Sequence, residues 1–213
     1  MKQHGVLYSR YPMIIVCLFF ILILNGCITA PDSPVPRFYR LQAVDDIQAG
    51  GKFNLASNMI IGVGPVGIPE YQNRPQIVTQ NENKMLTIAQ FDRWGEPLDL
   101  ALARLVSDNL TALLEGATIK TYPWNLAIPV KYQLIMDVVK LESQLDKDLF
   151  FAAQWSILDA QANKMIMMKK SEFRLAINPH NYSGLVKTLS QAAAALSREI
   201  AKALESLEAQ QKN

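Results

Sequence analysis

The sequence predicts an α/β fold of the α+β sandwich type. A mixed, largely antiparallel β-sheet is packed by two main helices, about 97–115 and 182–208, in a single domain behind an N-terminal tether. Three observations predict it. Apolar residues recur at helical spacing in those two stretches, and period-2 alternation from Tyr132 opens a run of long strands that continues to 177. No internal repeat or low-complexity segment interrupts the chain apart from a proline-rich run at 30–36.

The elements follow in order. "APDSPVP" (30–36) carries three prolines and no apolar periodicity, which reads as an extended tether. "RFYRLQAV" is a first strand. "NMIIGVGPVGIP" (58–69) is a β-branched run punctuated by glycine and proline, a strand leaving the core into an extended loop. "PQIVTQ" and "KMLTIAQF" pair as a hairpin across Asn81-Glu82-Asn83. From Pro97 to Glu115, Leu98, Leu102, Leu105, Asn109 and Leu113 form one stripe, flanked by Ala101, Val106 and Leu110. Pro97 suits a first helical turn and Gly116 a stop.

"YQLIMDVVKLESQL" then places Leu134, Met136 and Val138 on one face, and Ile135, Asp137 and Val139 on the other. "DLFFAAQWSILDA" and "KMIMMKKSEFRLAI" continue as long strands joined around Gln161-Ala162-Asn163, an antiparallel hairpin whose second strand (166–177) is expected to pack centrally. Asn178-Pro179 breaks that strand. In the last helix Val186, Leu189, Ala193, Leu196, Ile200, Ala203 and Leu207 form a heptad seam, with alanines at 192–195 permitting close approach. The helix is read as lying on its own sheet, with a coiled coil to a partner as the alternative. Residues 209–213 read as a disordered tail.

The N-terminus has its own logic. Lys2, His4 and Arg10 precede an apolar run, Met13–Leu24, whose helical length of about 18 Å falls short of the ~30 Å hydrocarbon core. A charged start, a short apolar centre and a small-residue boundary mark a secretory signal, residues 1–26. Its boundary, Leu24-Asn25-Gly26-Cys27, resembles the lipobox of bacterial lipoproteins. That resemblance implies a diacylglycerol on the Cys27 sulfur, cleavage before Cys27 and an acyl chain on the new amine. Residues 27–36 then form a lipidated tether, and 37–208 the periplasmic domain. Ile28 follows the cysteine where an aspartate would retain the protein at the inner membrane. By that sorting rule the expected home is the cell outer membrane, on its periplasmic face.

Composition excludes several classes. The chain has 21 basic and 19 acidic side chains, and loss of Lys2 and Arg10 with the leader leaves the remainder formally neutral. A neutral domain offers no concentrated basic face, so no nucleic-acid partner is expected. Cys17 leaves with the leader and Cys27 is consumed by lipid, which removes disulfides and cysteine-based metal sites. After residue 26 the chain holds a single histidine, His180, in the polar turn "NPHNY". One exposed histidine builds neither a metal site nor a nucleophilic triad. Asp45-Asp46 and Asp146/Asp148 sit in polar loops. "GVGPVG" lacks the lysine and following helix of a phosphate loop. No enzyme activity, no metal and no cofactor are expected, beyond the acyl groups on Cys27.

Two segments stand out. Residues 66–80, "VGIPEYQNRPQIVTQ", set Pro69, Tyr71, Arg74 and Pro75 together; residues 91–110 open with Arg93-Trp94 before Pro97-Leu98. Rigid prolines and amphipathic aromatics beside arginine suit a contact surface. The same residues also suit a capped core with locally paired arginines, and residue chemistry leaves both readings open. With the lipobox and an "FYxL" strand, "P-x-Y-x-x-R-P-Q-I-V" and "R-W-x-E-P-L" resemble the PqiC (YmbA) family of ABC-type transport auxiliary lipoproteins associated with MCE-protein systems. The resemblance spans most of the chain. It implies a non-catalytic outer-membrane lipoprotein in an intermembrane phospholipid pathway that supports membrane integrity. Its implied partners are the outer-membrane lipid, an MCE-domain tunnel protein, and copies of itself in a homo-oligomeric ring. It marks Pro69, Tyr71, Arg74, Pro75, Arg93 and Trp94 as candidate contact residues. Trp94 leans structural at the helix start, and Tyr71 and Arg74 interfacial. The alternative class is a lipoprotein activator or scaffold of periplasmic cell-wall synthesis machinery.

Cys27→Ser is expected to leave unprocessed precursor and no lipid-labelled product. Normal incorporation of labelled palmitate into that variant overturns the lipoprotein reading.

Overall fold

The structure, a computed structural model, describes residues 34–125 and 127–211, Gln211 by its backbone alone. The lipobox, Cys27 and most of the tether lie outside the described residues. Eight strands and two long helices follow one another: β1 (Arg37–Tyr39), β2 (Phe53–Gly67), β3 (Gln76–Gln80), β4 (Leu86–Trp94), α1 (Leu98–Leu113), β5 (Leu114–Thr121), β6 (Tyr132–Ser143), β7 (Asp148–Asp159), β8 (Lys164–Ala176) and α2 (Tyr182–Gln211). The α+β class holds, with the strands divided between two sheets. A three-stranded sheet has the order β1-β4-β3, and a five-stranded one the order β5-β2-β6-β7-β8. In the larger sheet β2 runs parallel to both neighbours, while β6, β7 and β8 form an antiparallel meander.

The alternation read in β6 is the observed one: Leu134, Met136 and Val138 are buried, and Val139 is exposed. The hairpins β3–β4 and β7–β8 pair antiparallel as expected. Facing the helices, β7 contributes Leu149, Phe151, Ala153, Trp155 and Ile157 to the core. Both helices pack on the larger sheet, α1 against β2 and β5, and α2 against β2, β7, β8 and α1. The seam residues of α2 from Val186 to Ala203 are buried inside the chain's own fold.

Four expectations are corrected. The 166–177 strand is not central: β8 is an edge strand. Tight turns lay β6, β7 and β8 down in sequence order, so the inner places fall to β2, β6 and β7. Met165 and Met168 on β8 are about half exposed. Lysines on the same strand suit an edge that must not pair with another chain. Second, Gly116 does not stop a helix. It lies inside β5 at φ +85°, where a β-carbon would stand 2.6 Å from the Leu55 carbonyl oxygen. The register of β2 against β5 breaks there, between Asn54 and Met59, and glycine supplies the left-handed backbone the irregularity requires. Third, Pro97 lies just outside α1, at its N-cap, instead of within the first turn. Fourth, the tail reading at 209 cuts the last helix short, because α2 continues to Gln211. Buried Glu208 explains it: the carboxylate accepts hydrogen bonds from Lys131 Nζ at 2.7 Å and Tyr132 Oη at 2.8 Å, fastening the final turns to the start of β6.

At the other end of α2, Asn181 Oδ1 accepts the Gly184 N–H at 2.9 Å, an N-terminal cap. Leu189→Asp or Leu196→Asp places a charge where the native side chain is 1% or 0% exposed. Each is expected to cost about 3–4 kcal/mol and to lower the melting temperature by roughly 10 °C. Gln191→Asp, on the exposed face, is the control and is expected to melt with the wild type. Circular dichroism melts decide it.

Candidate partner-binding surface

The fold brings the two motif segments together. Gln76 stands opposite Arg93 in the β3–β4 pair, and the Trp94 N–H donates to the Pro75 carbonyl at 2.7 Å. The next residue, Gly95, donates its N–H to the Tyr39 carbonyl at 2.7 Å, tying in β1. Between these strands and the start of α1 lies a cavity of about 300 Å³, lined by Asn73, Arg74, Pro75, Trp94, Gly95, Glu96, Pro97 and Leu98.

The candidate residues divide by burial. Trp94 is 6% exposed and belongs to the hydrophobic core, so its bulk holds the cavity floor. Arg74 and Pro75 are exposed at the rim. Arg74 has no ion-pair or side-chain hydrogen-bond partner among the described residues, whereas Arg37, Arg40, Arg104 and Arg174 all face carboxylates. Tyr71 is half-buried and donates its hydroxyl to the Leu141 carbonyl at 3.3 Å; burial pushes that hydroxyl's pKa above its ordinary value. Pro69 precedes the single 3₁₀ turn Glu70–Gln72 that presents Tyr71. Arg93 is half-buried on the strand, with its Nε enclosed and lacking an acceptor among the described residues. Trp94 Nε1 is likewise enclosed without one.

Several supporting residues escaped the sequence reading. Gln72 is 3% exposed and donates to the same Leu141 carbonyl at 2.8 Å, fixing the 3₁₀ turn to β6. A polar residue in a polar loop carries no signal for that. Glu96 receives Arg104 Nη2 at 2.6 Å, and Arg104 also donates to the Leu41 carbonyl, so the cavity's acidic residue is already committed. Buried Asp92 takes a two-pronged contact from Arg37, 2.8 Å on each oxygen, and the Tyr39 hydroxyl at 2.7 Å. The sequence "FDRW" shows an aspartate, but only the parallel pairing of β1 and β4 brings Arg37 to it. His180 is exposed, and no cluster of three or more His, Cys, Asp or Glu side chains suited to a metal occurs among the described residues.

The two motif segments thus frame one cavity on a two-sheet α+β domain. The chain belongs to the family of ABC-type transport auxiliary lipoprotein components, whose sequence model matches residues 39–201. It is similar to the intermembrane transport lipoprotein PqiC of Escherichia coli strain K12, 26% identical over 171 residues that cover 77% of this chain and 86% of that one. The same protein of Shigella flexneri matches to the same extent, 26% over 171 residues. A solved structure from Xanthomonas campestris shares the fold at a TM-score of 0.64 with 11% identity, covering 83% of this chain and 98% of that one. Another solved structure covers 80% and 99% at the same TM-score of 0.64 and 19% identity.

The Arg37–Asp92–Tyr39 cluster carries a pH signature. Burial alone raises the Asp92 pKa, but hydrogen bonds from Arg37 and Tyr39 outweigh it and hold the carboxyl below its ordinary value. The unfolded chain therefore binds that proton at higher pH than the folded one. The stabilisation is present at neutral pH and fades as pH falls below about 4. Asp92→Asn is expected to melt below wild type at pH 7, with the gap narrowing at pH 3. A gap independent of pH overturns the assignment.

Proposed function

We propose that this auxiliary transport lipoprotein is acylated at Cys27, sits on the periplasmic face of the outer membrane, and serves a phospholipid pathway between the two membranes without catalysis of its own. Its task in that reading is docking. It meets an MCE-domain tunnel protein, as a homo-oligomeric ring, and so contributes to membrane integrity. Similarity to the intermembrane transport lipoprotein PqiC supports the pathway.

One observation supports the docking surface above the rest. The two ends of the β3–β4 hairpin converge on a cavity whose floor is a buried tryptophan and whose rim carries Arg74, a cation without an ion-pair partner among the described residues. Rigid prolines and a fixed aromatic lose little entropy on binding, which favours contact energy concentrated in a few residues. Among the described residues no helix is long and apolar enough to cross a membrane, so attachment in this reading rests on the acyl chains.

Arg74→Glu and Trp94→Ala separate docking from folding. Arg74→Glu is expected to keep the wild-type melt while weakening co-purification with the MCE protein by tenfold or more. Trp94→Ala removes a core side chain, at about 3–5 kcal/mol, and is expected to lower the melt by roughly 10 °C. If Arg74→Glu retains full capture, the cavity is not the docking surface. Capture of a penicillin-binding protein in place of the MCE protein overturns the pathway instead.

A further inference from the structure

A concavity opens where the chain enters the described domain. The segment after β1 runs beside the first turns of α2, leaving a groove of about 730 Å³ between them. Its walls include Phe38, Arg40, Asp45, Asp46, Lys187 and Gln191, two cations and two carboxylates. Phe38 is 67% exposed, more than any other aromatic side chain among the described residues. Arg40 is 64% exposed, at 4.0 Å from Glu96. Lys187 is exposed and has no ion-pair partner among the described residues. An aromatic ring standing in water beside two cations is poorly placed for folding, because it buries little and pairs with nothing.

Covalent reach says what lies opposite. Ten residues, 27–36, separate the start of β1 from the acyl-bearing end of the chain. Fully extended, they span at most about 35 Å. A compact domain of this length has a radius of gyration near 16 Å and hence a diameter of about 40 Å. The leash is thus no longer than the domain is wide, and the β1 end cannot move far from the headgroups. Confinement of that kind raises the effective concentration of lipid at the groove, so a contact too weak to recruit a free protein suffices for a tethered one.

We propose that Phe38, with Arg40 and Lys187 beside it, forms a second, non-covalent contact with the phospholipid surface. The ring sits at the boundary of headgroups and acyl chains, where aromatic side chains are favoured. The two cations face lipid phosphates, and Asp45 and Asp46 face the ammonium of phosphatidylethanolamine, so the groove matches a zwitterionic headgroup charge for charge. The contact turns the β1 end of the domain toward the bilayer. It rests on acylation at Cys27, since the leash argument needs that anchor.

The test uses the full acylated lipoprotein. After processing the chain has no thiol other than the acylated Cys27, so one introduced cysteine takes a single fluorophore. Gln191→Cys places it at the groove, and Val139→Cys on an exposed position of β6 serves as control. Each is reconstituted into vesicles of phosphatidylethanolamine and phosphatidylglycerol containing nitroxide-labelled lipid. The groove label is expected to be quenched at least twofold more than the control. Adding Phe38→Asp is expected to bring it down to the control level. Equal quenching at the two positions in protein that floats with the vesicles overturns the proposal. Groove quenching unchanged by Phe38→Asp overturns it as well. Protein that fails to float identifies the anchor itself as wrong, and the second contact falls with it.

Discussion

The burial of α2 along one face of the five-stranded sheet is the constraint on which the rest of the fold depends. An apolar seam fixes which side of a helix faces inward, but it resists axial sliding only weakly, because one turn resembles the next. Polar pairs along α2 supply that resistance. Asn109 Nδ2 donates to Ser197 Oγ at 3.2 Å, Ser171 bonds Glu199, and Glu208 holds Lys131 and Tyr132. Glu205 accepts the Asn54 backbone N–H at 2.8 Å. A slip of one turn would strand several of these groups, and a buried polar group without a partner costs about 1–3 kcal/mol. The apolar seam drives docking of the helix, and the polar pairs set its register.

The smaller sheet inherits its rigidity from this arrangement. Ile77 and Trp94 meet Leu185 and Leu189 of α2 around a void of only about 10 Å³, which Gln72 and Ser143 also line. Trp94 therefore stands between the helix that organises the core and the cavity carrying Arg74 and Pro75. A surface whose floor is a core residue is preorganised, since contact there requires little further ordering. The same placement explains why the tryptophan serves stability while Arg74, lining the same cavity, stays exposed at its rim.

The chain enters the domain at a thin place. β1 holds β4 through a three-residue ladder, Arg37 to Asp92, Phe38 to Arg93 and Tyr39 to Trp94. The two-pronged Arg37–Asp92 contact reinforces it with charge-assisted hydrogen bonds, stronger than neutral ones and fixed in direction. The Tyr39–Gly95 bond then links the entry point to the motif that opens α1.

Periodicity and covalent chemistry determined much of this in advance. Apolar spacing set the seam of α2 and the stripe of α1, and alternation set the buried face of β6, because a side chain's direction within one element follows from local backbone geometry. The expectations drawn from the Leu24–Cys27 stretch, the charge balance and the cysteine count likewise needed no fold to state. The tertiary structure decided what depends on neighbours distant in the chain. It placed β8 at an edge, turned Gly116 from a helix stop into a strand irregularity, and extended α2 through Glu208. It also brought Arg37 to Asp92 across 55 positions and joined Pro75 to Trp94 across one ladder. Sequence spacing does not record which strands pair, and burial of a single residue such as Gln72 or Trp94 is set by what packs over it.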